Sequence, residues 1–581
     1  MNIYSERVKL VRSLGYDAVI ITGTDPHNSE YPAGRWKQVE WISGFTGEAG
    51  DIVITRNHAG LWTDSRYFIQ ADRQLKDTGI VLHKTRVPDA VGIPEYLHSV
   101  LPEGGKIAVD GLCQSISAIK ELAGFEIIDR PDMLSQLWAD RPDIPATPVT
   151  FIDESLVGES RKEKIRWLRE LLEEKKCGAM LVTSLDEIAW LLNVRGEDID
   201  YNPYVISYLL VTQEKVIWFV RDIDNVPEAS GVLNAPYQAL CESFRHLSED
   251  GRILVDPATV NYSVFKQLQE AVSPEGMLLT ASPVRLRKSI KNKKEIDSLR
   301  KLYIDDGVAM EKFLYWLDTQ KKAGKELTEW DASVELGKFR RQIADYHGDS
   351  FETISAYGEN AALPHYCTPV EGSSLIKGKG LYLVDSGGQY DRGTTDITRT
   401  VAMGRCGFSA REDYTLVLKG MIDLAMAVFP RGTAGCQIDA LARNPLWSRR
   451  KNFGHGTGHG IGFYLGVHEG PQDIRQNFNK TPLLPGMVTS DEPGLYREGK
   501  YGIRHENVIL CQEDERNDFG QWLSFETLTC CHIDTRPIKK RLLTKEERKW
   551  LNSYNKSVYR RLRDRLPEEV ASWLRKKTRC I

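Results

Sequence analysis

The run Leu381-Tyr-Leu-Val-Asp385-Ser-Gly-Gly-Gln-Tyr-Asp-Arg-Gly-Thr-Thr-Asp396-Ile-Thr-Arg399 sets two aspartates inside an apolar, glycine-interrupted stretch. β-type residues flank a turn-forming centre near Gln389 to Arg392, which predicts a hairpin. A turn centred between Tyr390 and Asp391 would set Asp385 directly opposite Asp396, with Cβ atoms about 4.5–5.5 Å apart. Two carboxylates that close repel unless positive charge lies between them. A pair of metal ions about 3.5–4 Å apart is one answer. Read alone, the hairpin is equally compatible with two ordinary turn or edge aspartates.

Three further stretches tip that balance. Phe453-Gly-His455-Gly-Thr-Gly-His459-Gly-Ile-Gly462 and Val467-His468-Glu469-Gly470 put three histidines in glycine-rich chain. The spacing of His455 and His459 matches the zinc-protease helix motif, but Gly456 stands where that motif needs glutamate. Glycine at alternate positions argues against a helix. In an extended chain, positions four apart still share a face, and glycine permits close backbone approach. In Ser490-Asp-Glu492-Pro-Gly-Leu-Tyr496, Pro-Gly turns the chain straight after Glu492. In Gly502-Ile-Arg504-His505-Glu506-Asn-Val508-Ile-Leu510, Glu506 interrupts an apolar strand, on the same side as Arg504 and Val508. A carboxylate directed into an apolar sheet must be paired or must bind metal. The joint donor set is Asp385, Asp396, His459, Glu492 and Glu506. Four carboxylates and one imidazole suit Mn²⁺ or Co²⁺, with Zn²⁺ compatible, whereas a structural zinc site would call for thiolates. Two such ions can hold a hydroxide at neutral pH, polarise a carbonyl and steady an oxyanion, so hydrolysis needs no serine or cysteine nucleophile.

Outside this region the chain has the makings of an ordinary multidomain protein. Its 581 residues allow two to four domains at about 150 residues each. The hydrophobic fraction is 41% and the charged fraction 27%, which excludes a disordered chain. A net charge of -4 gives no global attraction to nucleic acid or to anionic lipid. No apolar window is long enough to span a bilayer, and Met1 to Leu14 lacks the apolar core of a signal peptide, so a cytoplasmic location is expected. The ten cysteines form no CxxC pair and are expected to be reduced, buried, small hydrophobes.

A repeat is visible in the first half. Val8, Leu10, Val11 and Leu14 predict a helical stripe, followed by a strand at Asp17–Thr22. Ile165, Leu168, Leu171 and Leu172, followed by Gly178–Thr183, repeat the plan. Val39–Gly44 resembles Ile188–Asn193, and Asp51–Thr55 with Gly60–Thr63 resembles Tyr208–Thr212 with Val216–Phe219. Two similar α/β domains in tandem follow. Four prolines between 129 and 150 mark a linker. A basic run at 287–294 opens a long helix to about Lys321. Trp550, Leu551, Tyr554, Val558 and Leu562 predict one face of a C-terminal helix. The expected divisions are 1–140, 150–288 and 290–581.

The series Asp-x10-Asp, His, Glu, Glu closely resembles that of the pita-bread metallopeptidases. Ser29-Glu-Tyr31, Ser43-Gly-Phe45-Thr-Gly47, Trp62-Thr-Asp64-Ser-Arg66-Tyr67-Phe68, Val467–Pro471, Ile533-Asp-Thr535 and Trp550-Leu-Asn552 narrow the match to the three-domain aminopeptidase P family. The resemblance implies an α/β (α+β) chain: two creatinase-type N-terminal domains, then a pita-bread catalytic domain with a helical extension. It implies two divalent ions, manganese by expectation, with Asp385 on one, His459 and Glu492 on the other, and Asp396 and Glu506 bridging. Glu492 would be the general base. His365 would lie at the substrate site, His468 would steady the tetrahedral intermediate, His455 would line the proline pocket and Arg504 would support the metals. The implied reaction removes the N-terminal residue from short peptides with proline second, in a cytoplasmic homodimer. His505 and Cys367-Thr368 depart from the family pattern, which leaves pocket detail and local pKa values open. The rivals are a prolidase acting on X-Pro dipeptides, a methionine aminopeptidase, a metal-free creatinase-like hydrolase and a binding module on a dead scaffold. The last two should have lost ligands, and none is lost here.

Overall fold

Two six-stranded sheets of one topology account for the repeat in the first half of the chain. The structure, a computed structural model, describes residues 2–247 and 251–581. The first sheet contains β1 (Ala18–Ile21), β2 (Asp51–Thr55), β3 (Ala59–Thr63), β4 (Val81–Lys84), β5 (Lys106–Val109) and β6 (Glu126–Asp129), in the order β4-β3-β2-β1-β5-β6. The second contains β7 (Cys177–Val182), β8 (Ser207–Thr212), β9 (Val216–Val220), β10 (Leu233–Pro236), β11 (Arg252–Val255) and β12 (Met277–Leu279), in the matching order β10-β9-β8-β7-β11-β12. The central pairs are antiparallel and the outer ones parallel in both. The central strands read as unbroken apolar runs because both faces are covered.

The helices that open each half obey their sequence signals, with one correction. In α1 (Ile3–Arg12), Val8 and Val11 are buried, whereas Leu10 is 44% exposed. Residue 10 lies about 200° round a helix from residue 8, so it cannot share that face. In α2 (Arg161–Glu174), Ser160 caps Glu163 in a capping box, and Ile165, Leu168 and Leu172 are buried.

Contacts divide the chain into Met1–Glu154 with Glu159–Val284, and Ser155–Gly158 with Arg285–Ile581. The second unit opens with α3 (Lys293–Lys322), capped by Asn292 and Glu295, and continues with α4 (Glu329–Arg340). Its strands are β13 (Tyr346–Asp349), β14 (Ile354–Tyr357), β15 (Leu381–Ser386), β16 (Gly388–Tyr390), β17 (Gly393–Thr394) and β18 (Ile397–Ala402), then β19 (Phe429–Pro430), β20 (Gly458–Gly460), β21 (Glu469–Ile474), β22 (Val488–Asp491), β23 (Gly494–Arg497), β24 (Tyr501–Arg504), β25 (Asn507–Asn517) and β26 (Gly520–Thr527). They form sheets β13-β16-β17, β14-β15-β18, β19-β26-β25-β22-β20-β21 and β23-β24. Among the helices of this unit are α5 (Phe408–Ala425), α6 (Gly435–Trp447), α7 (Lys545–Leu562) and α8 (Glu568–Lys577). Leu551, Val558 and Leu562 of α7 are buried against Met310, Phe313 and Tyr414, among others, so the C-terminal helices close the core of the second unit.

Among the described residues all ten cysteines are free. Cys367 and Cys580 are exposed, against the expectation that all are buried. No helix among the described residues is long and apolar enough to cross a membrane.

Candidate active site

The aspartate hairpin forms, but two residues out of the expected register. Gln389 pairs with Thr394 and Tyr390 with Gly393, so the two-residue loop is Asp391-Arg392. Asp385 therefore faces Thr398, not Asp396. Arg392 holds the loop in place through Asp345 and Asp305 at 2.7 Å each. The hairpin also splits between two sheets at Gly387 and Thr395-Asp396. A Cβ on Gly387 would lie 2.0 Å from the Thr395 carbonyl oxygen, so only glycine allows the crossing. Asp396 falls in that break, free of the ladder.

The glycine-rich histidine segment is extended, as expected. Gly458 and Gly460 lie in β20, where added Cβ atoms would meet the Ser490 and Glu469 carbonyl oxygens at 1.9 and 2.0 Å. Neighbouring backbones approach that closely because both residues lack side chains. Between them His459 donates from Nδ1 to the Gly460 carbonyl at 2.9 Å. Its Nε2 faces the cluster and lies 3.4 Å from both Asp396 and Glu492.

The strand expected across Gly502–Leu510 is broken. β24 ends at Arg504, β25 starts at Asn507, and His505-Glu506 bridges two different sheets. The Glu506 amide donates to the Thr398 carbonyl at 3.2 Å, and Thr398 Oγ1 donates to Glu506 Oε2 at 2.9 Å. The bend comes from this docking, which no alternation pattern encodes.

Asp396, His459 and Glu506 offer donor atoms that all lie within 4.8 Å of one another. Asp385 accepts from Arg504 Nη2 at 2.5 Å and Nε at 3.1 Å, while its Oδ1 is buried with no partner. Glu506 Oε1 is orphaned in the same way. Burial pushes the Glu492 carboxyl up to about 7, against the opposing pull of His459 and Arg504. Burial, then Asp396 and Asp385, push Glu506 well above the usual carboxylate range. Asp385 is raised by burial, with Arg504 opposing. Four carboxylates, two of them with orphaned oxygens, converge near a single arginine and one imidazole. That arrangement lacks positive charge, and its oxygen-rich donors fit divalent cations.

The remaining expected residues surround this cluster. His468 meets the His459 ring edge to face at 4.3 Å. His455 donates from Nδ1 to the Gly456 carbonyl at 2.7 Å and accepts from Tyr496 Oη at 2.8 Å. Burial, then Arg504, hold it well below the usual imidazole range, so it is neutral at physiological pH. His365 lies close enough to His455 to act on its charge, and Arg504 ties the neighbouring Pro364 carbonyl at 3.3 Å. His505 is fully buried, packs edge on against Tyr414 at 4.3 Å, and is lowered to about 3 by burial and Arg399. It behaves as a neutral aromatic filler. Cys367 lies exposed with its thiol donating to Glu352 at 2.9 Å, and Thr368 is buried against Ser355.

Three contributors were not singled out from sequence. Tyr496 links Arg504 to His455, accepting from Nη1 at 2.7 Å, with its hydroxyl raised to about 12 by burial. Thr398 holds Glu506, and its position opposite Asp385 is readable only in the corrected register. Arg399 donates to the Glu506 carbonyl and to Cys531 O, fixing the segment that presents Glu506.

Family models match the chain in four consecutive stretches. Residues 7–134 and 140–295 match creatinase/prolidase N-terminal domains, 297–513 match metallopeptidase family M24, and 521–581 match its C-terminal region. The class is thus an M24 metallopeptidase carrying creatinase-type N-terminal domains. A probable Xaa-Pro aminopeptidase P of Coprinopsis cinerea is 36% identical over 99% of this chain and 97% of its own. The Xaa-Pro aminopeptidase 1 of Dictyostelium discoideum is 36% identical over 95% of this chain and 92% of its own. The crystal structure of X-prolyl aminopeptidase from Caenorhabditis elegans, described as a cytosolic enzyme with a di-nuclear active site, superposes with a TM-score of 0.94 at 34% identity, covering 100% of both chains. The chain belongs to the Xaa-Pro aminopeptidase P family.

Proposed function

We infer that the chain is a metal-dependent Xaa-Pro aminopeptidase, hydrolysing the bond between an N-terminal residue and a penultimate proline in short peptides. The observation that carries this reading is the convergence of Asp385, Asp396, His459, Glu492 and Glu506, intact in a chain that matches such enzymes along its whole length. Two divalent ions held by these donors supply Lewis acidity and an activated water. Manganese is the ion proposed, and Asp385, Asp396, His459, Glu492 and Glu506 would hold the pair.

The protein's own groups do the rest. Glu492, whose carboxylate lies 3.4 Å from His459 Nε2 at the centre of the donor cluster, is placed to take the proton of the attacking water. The hydrogen bond from His459 Nδ1 to the Gly460 carbonyl fixes the ring so that Nε2 faces Asp396 and Glu492. His468, packed on His459, offers a ring N–H to the oxygen of the tetrahedral intermediate. His455, held neutral, lines the pocket for the proline ring together with Tyr496 and His365. Arg504 orients Asp385 and offsets part of the carboxylate charge.

The finer proposals are three domains at 1–140, 150–288 and 290–581, a cytoplasmic location and a homodimer. The full-length likeness to a cytosolic relative supports the location. The rival reading, an X-Pro dipeptidase, has less support. The Xaa-Pro dipeptidase of Bacillus anthracis is 25% identical and covers 64% of this chain at a TM-score of 0.51.

Mass spectrometry of products tests the assignment. Protein reloaded with Mn²⁺ is incubated with Arg-Pro-Pro, Arg-Ala-Pro and Arg-Pro. Release of arginine mainly from Arg-Pro-Pro is expected. Cleavage mainly of Arg-Pro would make the enzyme a dipeptidase, and cleavage of none would remove the catalytic assignment.

A further inference from the structure

Away from the catalytic donors, Glu311, Cys531 and His532 form a second cluster, in which one donor atom from each residue lies within 4.8 Å of the others. Glu311 comes from α3, and Cys531 with His532 from the segment that follows β26. All three are buried. The Glu311 carboxylate accepts from the His532 amide at 2.7 Å and from its Nδ1 at 2.8 Å. An ion pair alone would explain the histidine and the glutamate. A thiol, which donates to the His532 carbonyl at 3.8 Å, completes the same cluster, and a cavity of about 20 Å³ opens beside His532. That cavity is lined by His532, Asp318, Met403 and Trp573, among others.

We propose that Glu311, Cys531 and His532 are a second metal site, selective for a thiophilic divalent ion of the zinc type. Thiolate, imidazole and carboxylate together are a zinc donor set, unlike the oxygen-rich catalytic one. Donors that share a tetrahedral zinc lie about 3.3–3.5 Å apart, so these three need to shift only modestly. A water would complete the fourth position, and the cavity opens on the His532 side of the cluster. On binding, the thiol proton leaves to solvent, and the imidazole proton moves from Nδ1 to Nε2 as Nδ1 takes the metal. No electron is transferred. The ion would tie α3 to the C-terminal segment, where His532 also packs edge on against Trp573 of α8 at 5.3 Å.

The test uses the full chain, stripped of metal and reloaded with Co²⁺. The catalytic donors contain no sulfur, so a thiolate-to-cobalt charge-transfer band in the near ultraviolet reports only a cysteine site. The expected result is a band in the wild type that persists in His459→Ala and disappears in Cys531→Ser and in Glu311→Gln. Zinc content measured by mass spectrometry should fall by about one equivalent in Cys531→Ser relative to the wild type. Absence of the band from the wild type overturns the site without recourse to any variant. A band that survives Cys531→Ser overturns it equally, because another cysteine would then be the ligand.

Discussion

Two groups of buried carboxylates in the second unit have opposite fates. Asp413 of α5 is saturated, with Lys451 at 2.6 Å, Arg497 at 2.6 Å and Tyr501 at 2.8 Å. These partners hold its carboxyl below the usual range despite burial. The group formed by Asp385, Asp396, Glu492 and Glu506 has Arg504 and His459 for company, orphaned oxygens on Asp385 and Glu506, and a Glu492 carboxyl raised to about 7. Both sets are inside the protein, so burial does not distinguish them. What differs is whether the chain supplies the compensating charge itself or leaves lone pairs aimed at a shared point. A structural carboxylate is completed by folding, whereas a metal-binding one is left incomplete by it.

The largest effect that would sharpen this contrast is catalytic. Glu492→Gln should lower kcat by about 10²–10⁴-fold, the range expected when a positioned base is removed. Steady-state kinetics with Arg-Pro-Pro checks it, and a loss of less than about tenfold would remove Glu492 from that role.

The next effect is on stability and should differ in sign between the two groups. Asp413→Asn leaves Lys451 and Arg497 partly unpaired, and should cost about 1–3 kcal/mol, since both cations keep some access to water. Glu506→Gln relieves repulsion, so in metal-free protein it should leave stability unchanged or raise it. Urea midpoints read both, and a larger loss from Glu506→Gln than from Asp413→Asn would break the comparison.

A smaller effect is thermal. Mn²⁺ should raise the Tm of the wild type, because binding to the native state alone stabilises it. In Glu506→Gln the rise should be markedly less. Equal shifts in the two would place the ion elsewhere.

The smallest is a pH slope. Glu492 is raised from 4.5 to about 7 in the folded state. Between those values the native protein binds more protons than the unfolded chain, so metal-free stability should fall as pH rises through that window. Asp413, held low, contributes the opposite way, with its stabilisation lost only as pH falls below the usual carboxylate range. Denaturant midpoints across the window measure the slope, and added metal should flatten or reverse it.

Sequence carried much of this, unevenly. The five proposed donors stood out because carboxylates and an imidazole interrupt strands where apolar residues belong. The tandem repeat was legible because the central strands of both sheets are continuous apolar runs. The hairpin register was not, since a glycine-rich turn tolerates several loop positions and only the anchoring of Arg392 by Asp345 and Asp305 selects one. The break at His505-Glu506 was hidden for a similar reason. It is set by the distant Thr398 carbonyl, while alternation alone continues the strand. Tyr496 was quoted within a motif but not recognised as the link between Arg504 and His455, because its role depends on two partners that meet it only in the fold.

The claim that these incomplete carboxylates exist to hold metal is tested most directly by titrating metal-stripped enzyme with Mn²⁺ while following arginine release from Arg-Pro-Pro. Activity should be absent at the start, rise with added ion and level off near two equivalents, in line with the di-nuclear site described for the C. elegans relative. Full activity in rigorously stripped protein, or saturation by metal with no hydrolysis, would contradict it.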